Sequence, residues 1–122
     1  MTTVIAIGAA GAVGSVLRHL LGRAVQGGVH AGFPIGTLMV NVVGCVIVGV
    51  VSRYFLNNEV NPLFKSALIV GFCGGFTTFS AFSLETVGLL SGGAVGKALL
   101  YVTLSVVLCL TGTAIGFFAL PR

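Results

Sequence analysis

The chain has 122 residues, of which 57% are hydrophobic and 7% are charged, and its formal net charge is +4. A soluble domain of this length exposes too much surface to carry so few charges, so the composition excludes a soluble globular protein. A helix needs about 20 apolar residues to cross a bilayer core. We therefore predict an all-α membrane protein with a single domain, residues 1–122, whose four transmembrane spans lie near residues 4–25, 36–56, 66–90 and 98–120.

The first predicted span carries its basic residues, Arg18 and Arg23, at its far end. A secretory signal peptide is the alternative for this segment, but such a peptide has its positive charge before the apolar run. No Lys or Arg precedes this run, so we expect the segment to be a span. The Gly-rich, polar stretch 26–36 that follows is expected to be a loop.

The second predicted span contains Asn41, the only amide side chain inside any predicted span. A polar side chain in hydrocarbon is costly and normally faces the bundle interior or an aqueous path. Its two N–H groups suit an anion that has shed water, while a hydrogen bond to a neighbouring helix is the alternative. Thr37 lies one turn earlier on the same helix face.

The third predicted span has an interruption signal at its centre, where Gly74-Gly75 lies beside Thr77-Thr78. Two adjacent glycines weaken a helix, and a broken helix at membrane depth is tolerated where its freed carbonyls find a partner or line a cavity. We predict a break here, with main-chain oxygens available to a cation. The alternative is that the Gly pair only admits a neighbouring helix.

Phe79 and Phe82 follow this predicted break and share one helix face, with Ser80 between them and Ser83 just beyond. The edge of an aromatic ring is positive, so it can contact an anion. Ordinary core packing is the alternative for these two rings.

The fourth predicted span presents Tyr101, Ser105, Cys109 and Thr113 as a stripe along one helix face. This stripe either hydrogen-bonds to neighbouring helices or lines a wet path. Asp is absent from the chain, and Glu85 is the only carboxylate in a predicted span. A cation pathway normally shows carboxylates in its spans, so neutral donors favour an anion.

The basic residues are balanced between the two predicted sides of the membrane. Arg53, Lys65 and Arg122 lie on one side, and Arg18, Arg23 and Lys97 lie on the other. Orientation follows the Lys/Arg bias, so a chain without bias inserts either way, and two opposed copies can pair. If Arg18 is buried in the bundle and does not count, three basic residues oppose two, which leaves a weak preference for one orientation.

One four-helix chain is too thin to enclose a water-lined path, which favours an antiparallel homodimer. Close helix packing is expected at small-residue pairs, which are Gly71/Gly75, Gly88/Gly92 and Gly112/Gly116.

The cysteines and histidines show no metal-site or disulfide spacing. Cys45, Cys73 and Cys109 occupy three different spans, and we expect them to be isolated packing thiols. His19 and His30 are expected to be interfacial or loop residues.

Three motifs together resemble the small dual-topology fluoride channels of the Fluc or CrcB family. They are GFCGGFTTFSAF at 71–82, GTLMVN at 36–41 and GSVLR at 14–18. The resemblance implies a passive fluoride channel in the inner membrane of a cell, which lowers cytoplasmic fluoride toxicity. It also implies two pores in an antiparallel dimer, with fluoride, lipid and a second copy as partners and no nucleic acid.

The family's functional residues carry over to matching positions. The resemblance implies a structural sodium ion held by the backbone carbonyls of Gly74 and Thr77 from each subunit. It implies Arg18 at a vestibule and Glu85 near one mouth. It implies a fluoride path formed by Asn41, Phe79 and Phe82, supported by Ser80, Ser83, Tyr101, Ser105 and Thr113. Two positions depart from the family pattern: Ala81 replaces the usual Thr, and His19 replaces an aromatic residue.

Two other functions fit a small four-span chain. A dual-topology, proton-coupled exporter of cationic drugs is expected to need a carboxylate in its first span, but no acidic residue precedes Glu59. A non-transporting membrane scaffold would not need Asn41, a broken third span and the donor stripe together. No base, nucleophile and metal constellation indicates an enzyme.

Overall fold

A computed structural model describes residues 1–28 and 32–121. His30 and Arg122, which entered the predictions above, lie outside these described residues. Four helical segments are long and apolar enough to cross a membrane, and they confirm the predicted four-span architecture. They are α1 (Thr2–Gly27), α2 (Ile35–Asn57), a composite third span (Pro62–Ser91) and α6 (Val95–Phe118).

The stretch predicted to be a loop between the first two spans is shorter than expected. Helix α1 continues through Gln26 to Gly27, and α2 begins at Ile35. The Gln26 side chain joins the two helix ends, since its Oε1 accepts from the Gly36 N–H at 3.1 Å and its Nε2 donates to the Phe33 carbonyl at 3.1 Å. Gln26, whose polarity indicated a loop, therefore lies at the end of α1, and its side chain closes the turn to α2.

The third span is interrupted at its centre, as predicted, although the interruption lies at Thr77 and Thr78 and not at the Gly pair. The span consists of α3 (Pro62–Ser66), a π-helical segment (Ala67–Cys73), α4 (Gly74–Phe76) and α5 (Phe79–Ser91). Thr77 (φ −89°, ψ 159°) and Thr78 (φ −150°, ψ 116°) are extended, whereas Gly74 is helical. Gly75 admits a neighbouring helix, as the alternative hypothesis stated, because a Cβ there would overlap the backbone of Gly11 in α1.

Helix α1 packs along the first half of the third span, and the two run in the same direction. Gly11 lies against Gly71 and Gly75, and further along α1 the Arg18 side chain reaches Thr77. A Cβ on Gly14 would overlap the carbonyl of Phe72, so glycine is required for this close approach.

Helices α2 and α6 form the second parallel pair. A Cβ on Gly49 would overlap the Thr113 carbonyl, and a Cβ on Gly116 would overlap the Val46 carbonyl. The Arg53 side chain donates to the Leu120 carbonyl at 3.2 Å beyond the end of α6. The small-residue pairs predicted at 71/75 and 112/116 thus lie at helix contacts.

The predicted pair at 88/92 makes no such contact in the single chain. A Cβ on Gly88 would meet no atom of the described chain within 4 Å. Gly88 is exposed.

Candidate functional site

Asn41 holds the interruption of the third span together. Its Oδ1 accepts from the Thr78 N–H at 2.7 Å, and its Nδ2 donates to the Thr78 carbonyl at 3.0 Å. Both main-chain groups of this extended residue are therefore paired with one side chain of α2. The interhelical hydrogen bond left open as an alternative is present. One of the two amide hydrogens of Asn41 remains outside this pair.

Thr78 also starts the helix that follows the interruption. Its Oγ1 accepts from the Ala81 N–H at 3.1 Å, which is an N-cap of α5. The Ser80 hydroxyl lies 3.2 Å from the same Oγ1. Thr78 was not among the predicted site residues, although a Thr three residues before the paired backbone N–H is a recognisable capping signal.

Three main-chain carbonyls lie near the interruption with weak or altered hydrogen bonding. In a continuous helix the Gly74 carbonyl would accept from the Thr78 N–H, but that N–H donates to Asn41 instead. The Gly75 carbonyl accepts from the Ser15 hydroxyl at 3.4 Å. The Thr77 carbonyl accepts from Arg18 Nη1, also at 3.4 Å. Gly74 is exposed on the single chain.

The larger of two relevant cavities, about 600 Å³, has a basic wall. Arg18, His19 and Arg23 of α1 line it, and Glu85 of α5 is the acidic residue in its lining. The two residues predicted for a vestibule, Arg18 and Glu85, thus face one space. Arg18 is half-buried there. Further lining residues are Ser15, Gly22, Gln26, Gly36, Thr37, Val40, Thr78, Ser80, Ala81 and Leu84.

Glu85 joins three spans through its carboxylate. Thr37 Oγ1 donates to Oε1 at 2.7 Å, and the Tyr101 hydroxyl donates to Oε2 at 2.6 Å. Tyr101 is 0% exposed, so its hydroxyl is committed to this contact. The predicted polar stripe of α6 therefore begins with a residue that hydrogen-bonds to a neighbouring helix.

The smaller cavity, about 320 Å³, brings together four predicted path residues, Asn41, Phe79, Phe82 and Ser105. Ser105 is 7% exposed, and its buried hydroxyl has no hydrogen-bond partner in the described part of the chain. An unpaired buried hydroxyl costs about 1–3 kcal/mol, so it indicates a missing partner. The remaining lining residues are Cys45, Thr77, Thr78, Val106, Cys109 and Leu110.

The predicted aromatic pair is only partly a packing element. The ring centroids of Phe79 and Phe82 are 5.3 Å apart, and Phe82 is also 5.3 Å from Tyr101. Phe82 is half-buried, whereas Phe79 is 78% exposed on the single chain. Core packing therefore does not account for Phe79. Thr78, which precedes it, borders both cavities.

Besides Tyr101, two predicted path residues lie outside the linings of both cavities. The Ser83 hydroxyl donates to the Phe79 carbonyl of its own helix at 2.9 Å. The backbone of Thr113 lies against Gly49 at the α2–α6 contact. Neither side chain is among the lining residues of the two cavities just described.

The expectation that all three cysteines are isolated is wrong for two of them. Cys45 of α2 and Cys109 of α6 line the smaller cavity together. Cys73 is buried in the third span. The signal was present in the sequence, because Cys45 follows Asn41, and Cys109 follows Ser105, by four residues on the same helix faces.

Comparison with known proteins gives a consistent family. A family model described as "CrcB-like protein, Camphor Resistance (CrcB)" matches residues 5–117. A Geobacter sulfurreducens protein named "Fluoride-specific ion channel FluC" is 45% identical over 120 residues, covering 98% of this chain and 97% of the relative. A Sulfurovum protein of the same name is 43% identical over 118 residues, covering 97% and 93%. One from Thermus thermophilus is 52% identical over 91 residues, covering 75% and 73%.

Proposed function

The chain belongs to the CrcB-like family, and from that membership we propose that it is a fluoride-specific ion channel of the cell membrane. It is a multi-pass membrane protein that conducts fluoride passively out of the cell and so lowers its cytoplasmic concentration. The observation that carries the residue-level proposal is the unpartnered hydroxyl of Ser105, which lies in one cavity with Asn41, Phe79 and Phe82.

The path that we propose runs from the basic cavity to the smaller cavity past Thr78. Arg18 and Arg23 attract an anion into the larger space, because these two cationic side chains outnumber Glu85, the one carboxylate in the lining, and a net positive lining concentrates the opposite ion. Thr78 borders both spaces, and the Asn41 amide fixes its backbone. Beyond it, the free amide hydrogen of Asn41 and the Ser105 hydroxyl are available donors.

Fluoride is small and strongly hydrated, so the path must replace its lost water. A hydrogen bond to an ion contributes about 1.5–3 kcal/mol, which offsets only part of the dehydration cost. Several contacts must therefore act in series. The positive edges of Phe79 and Phe82 add weak contacts next to Ser105. Ser80 supplies a hydroxyl on the side of the larger cavity.

Two copies of the chain are needed to complete this path. Non-helical backbone at membrane depth is tolerated where it is covered by protein or lines water, and it does not face lipid. In the single chain Gly74 is exposed and its carbonyl has lost its helical partner. A second copy would cover this surface and the exposed ring of Phe79. The balance of basic residues favours an antiparallel arrangement, since the chain has no strong preferred orientation.

The residues at the interruption also fit a structural sodium ion. The Gly74 and Thr77 carbonyls are neutral oxygen ligands, which suit a hard cation. Thr77 keeps a lone pair beside its long contact with Arg18. Among the described residues there is no cluster of three or more His, Cys, Asp or Glu that could hold a metal instead. In an antiparallel dimer, one sodium ion would satisfy these carbonyls from both copies and join them.

Fluoride efflux from liposomes that contain the purified protein tests the function, with chloride efflux as the reference. We expect fluoride efflux without chloride efflux, and no dependence on a proton gradient. Chloride efflux at a similar rate, or proton-coupled export of organic cations, would contradict the proposal.

Two variants test the path itself. Phe82→Ile removes a ring edge and Ser105→Ala removes the unpartnered hydroxyl, so each is expected to slow fluoride efflux at least tenfold without admitting chloride. Phe118→Ile and Ser91→Ala are matched controls, because both side chains are exposed near helix ends away from the two cavities. Efflux in the path variants equal to that in the controls would mean that fluoride passes elsewhere.

A further inference from the structure

The smaller cavity contains a pair of thiols that the fluoride path does not use. Cys45 and Cys109 come from different spans, are both half-buried, and line the cavity beside Asn41 and Ser105. Both thiols are free in the structure, so they can bind a ligand together.

The helices that carry the two thiols are held at a fixed separation. One turn beyond Cys45 is Gly49, and one turn beyond Cys109 is Thr113; the backbone of Thr113 is so close to Gly49 that a Cβ would overlap its carbonyl oxygen. This contact holds α2 and α6 close together one turn beyond the thiols. A ligand that binds both sulfur atoms therefore does not have to bring the two helices together, which lowers the cost of binding.

We propose that Cys45 and Cys109 form a two-coordinate site for a thiophilic soft cation such as Hg²⁺, which bridges the two sulfurs across the cavity. Soft ions prefer thiolate ligands, and the thiolate is the ligating form, so each thiol releases one proton as its sulfur binds the ion. One Hg²⁺ and two thiols thus give one neutral S–Hg–S bridge and two protons, with no change in oxidation state. The described residues supply no cluster of three such ligands, which favours linear coordination.

The bridge would also close the proposed path, and this consequence rests on the proposed fluoride function. Cys109 lies one turn from Ser105 on the same face of α6, and both residues line the same 320 Å³ cavity. A metal bridge there occupies space that an ion must cross. We therefore expect binding of the cation to block fluoride efflux.

Direct binding is the first test, made on the full-length protein in detergent with Hg²⁺ as the probe. We expect one Hg²⁺ per chain that resists washing with a monothiol, with two sulfur ligands in the X-ray absorption spectrum at the mercury edge. Cys45→Ser and Cys109→Ser are each expected to abolish this resistant binding. Cys73→Ser is the matched control and is expected to retain it. Resistant binding that survives in either Ser variant, or a single sulfur ligand at the metal, would overturn the proposal.

Fluoride efflux from liposomes is the second test. Hg²⁺ is expected to lower wild-type efflux at least tenfold, a dithiol is expected to restore it, and both Cys45→Ser and Cys109→Ser are expected to be insensitive. Size-exclusion profiles that match the wild type verify folding of these variants. If efflux is absent before metal is added, the proposed channel function fails, while the binding test still decides on the thiol site. If the bridge forms but efflux is unchanged, the blocking consequence is refuted.

Discussion

Replacement of Asn41 should destabilise the interruption of the third span more than an ordinary loss of one polar side chain. Asn41→Ala removes both partners of Thr78, leaving its N–H and its carbonyl unsatisfied inside the bundle. Each unsatisfied buried group costs about 1–3 kcal/mol, so the two together give about 2–6 kcal/mol. Asn41→Asp keeps the acceptor for the N–H but places a second oxygen against the Thr78 carbonyl, and it should fall between Asn41→Ala and the wild type.

The free energy of unfolding, measured in detergent micelles by denaturant titration with helical content as the signal, gives the test. The matched control is Asn58→Ala, because that exposed amide donates only to the Tyr54 carbonyl of its own helix. We expect the control to remain within about 0.5 kcal/mol of the wild type, as surface substitutions do. If Asn41→Ala is as stable as Asn58→Ala, the Asn41 pair does not hold the interruption. Asn41→Asp should also stop fluoride efflux, since it places a carboxylate on the anion path; normal efflux in that variant would contradict the path.

Three further changes test other parts of the structure. Gly14→Ala should cost about 1–3 kcal/mol, because its Cβ overlaps the backbone of the third span, whereas Gly8→Ala meets open space and should raise stability slightly; equal effects would contradict the helix contact. Glu85→Gln should lower the free energy of unfolding, measured by thermal unfolding, by about 1–3 kcal/mol, because the buried Tyr101 hydroxyl and the Thr37 hydroxyl both donate to the Glu85 carboxylate. Exposed Glu59→Gln should leave stability unchanged. If Glu85→Gln is also neutral, these hydrogen bonds do not stabilise the bundle. Adding two lysines to the N-terminus should fix one orientation and abolish efflux until an oppositely biased copy is co-expressed, and full efflux from the fixed form alone would refute dual topology.

The span architecture could be predicted because charge and length decide it. The charged residues separate long neutral runs, and the helices begin and end within a few residues of the predicted spans. The place of the interruption could not be predicted as well. Helix propensity favoured a break at Gly74-Gly75, but Gly75 is needed for contact with α1. The break lies at Thr78 because the Asn41 side chain hydrogen-bonds to both main-chain groups of that residue. A tertiary partner decided the position, and one span's sequence does not show its partner.

The candidate site was predictable where a residue type has few alternatives inside a membrane. The side chains of Asn41 and Glu85 both form hydrogen bonds to neighbouring helices, because an unpaired polar side chain in hydrocarbon is costly in free energy. The stripe on α6 was less informative, because hydroxyl and thiol groups satisfy several roles. In the structure the Tyr101 hydroxyl donates to Glu85, the Ser105 hydroxyl has no partner among the described residues, and the Thr113 backbone lies at a helix contact. Periodicity placed these residues on one face but did not distinguish their partners.

The pairing of Thr78 with Asn41 sets an order for membrane insertion. The two residues are 37 positions apart, and α2 leaves the ribosome before the third span does. Unpaired main-chain groups cost several kcal/mol in hydrocarbon, so the third span cannot adopt its extended turn in lipid alone. It must enter either beside α2 or first as a continuous helix that unwinds when Asn41 reaches it. The interruption on which the ion path depends is therefore made late, by docking of one inserted helix against another, and a chain stalled before that docking has four spans but no site.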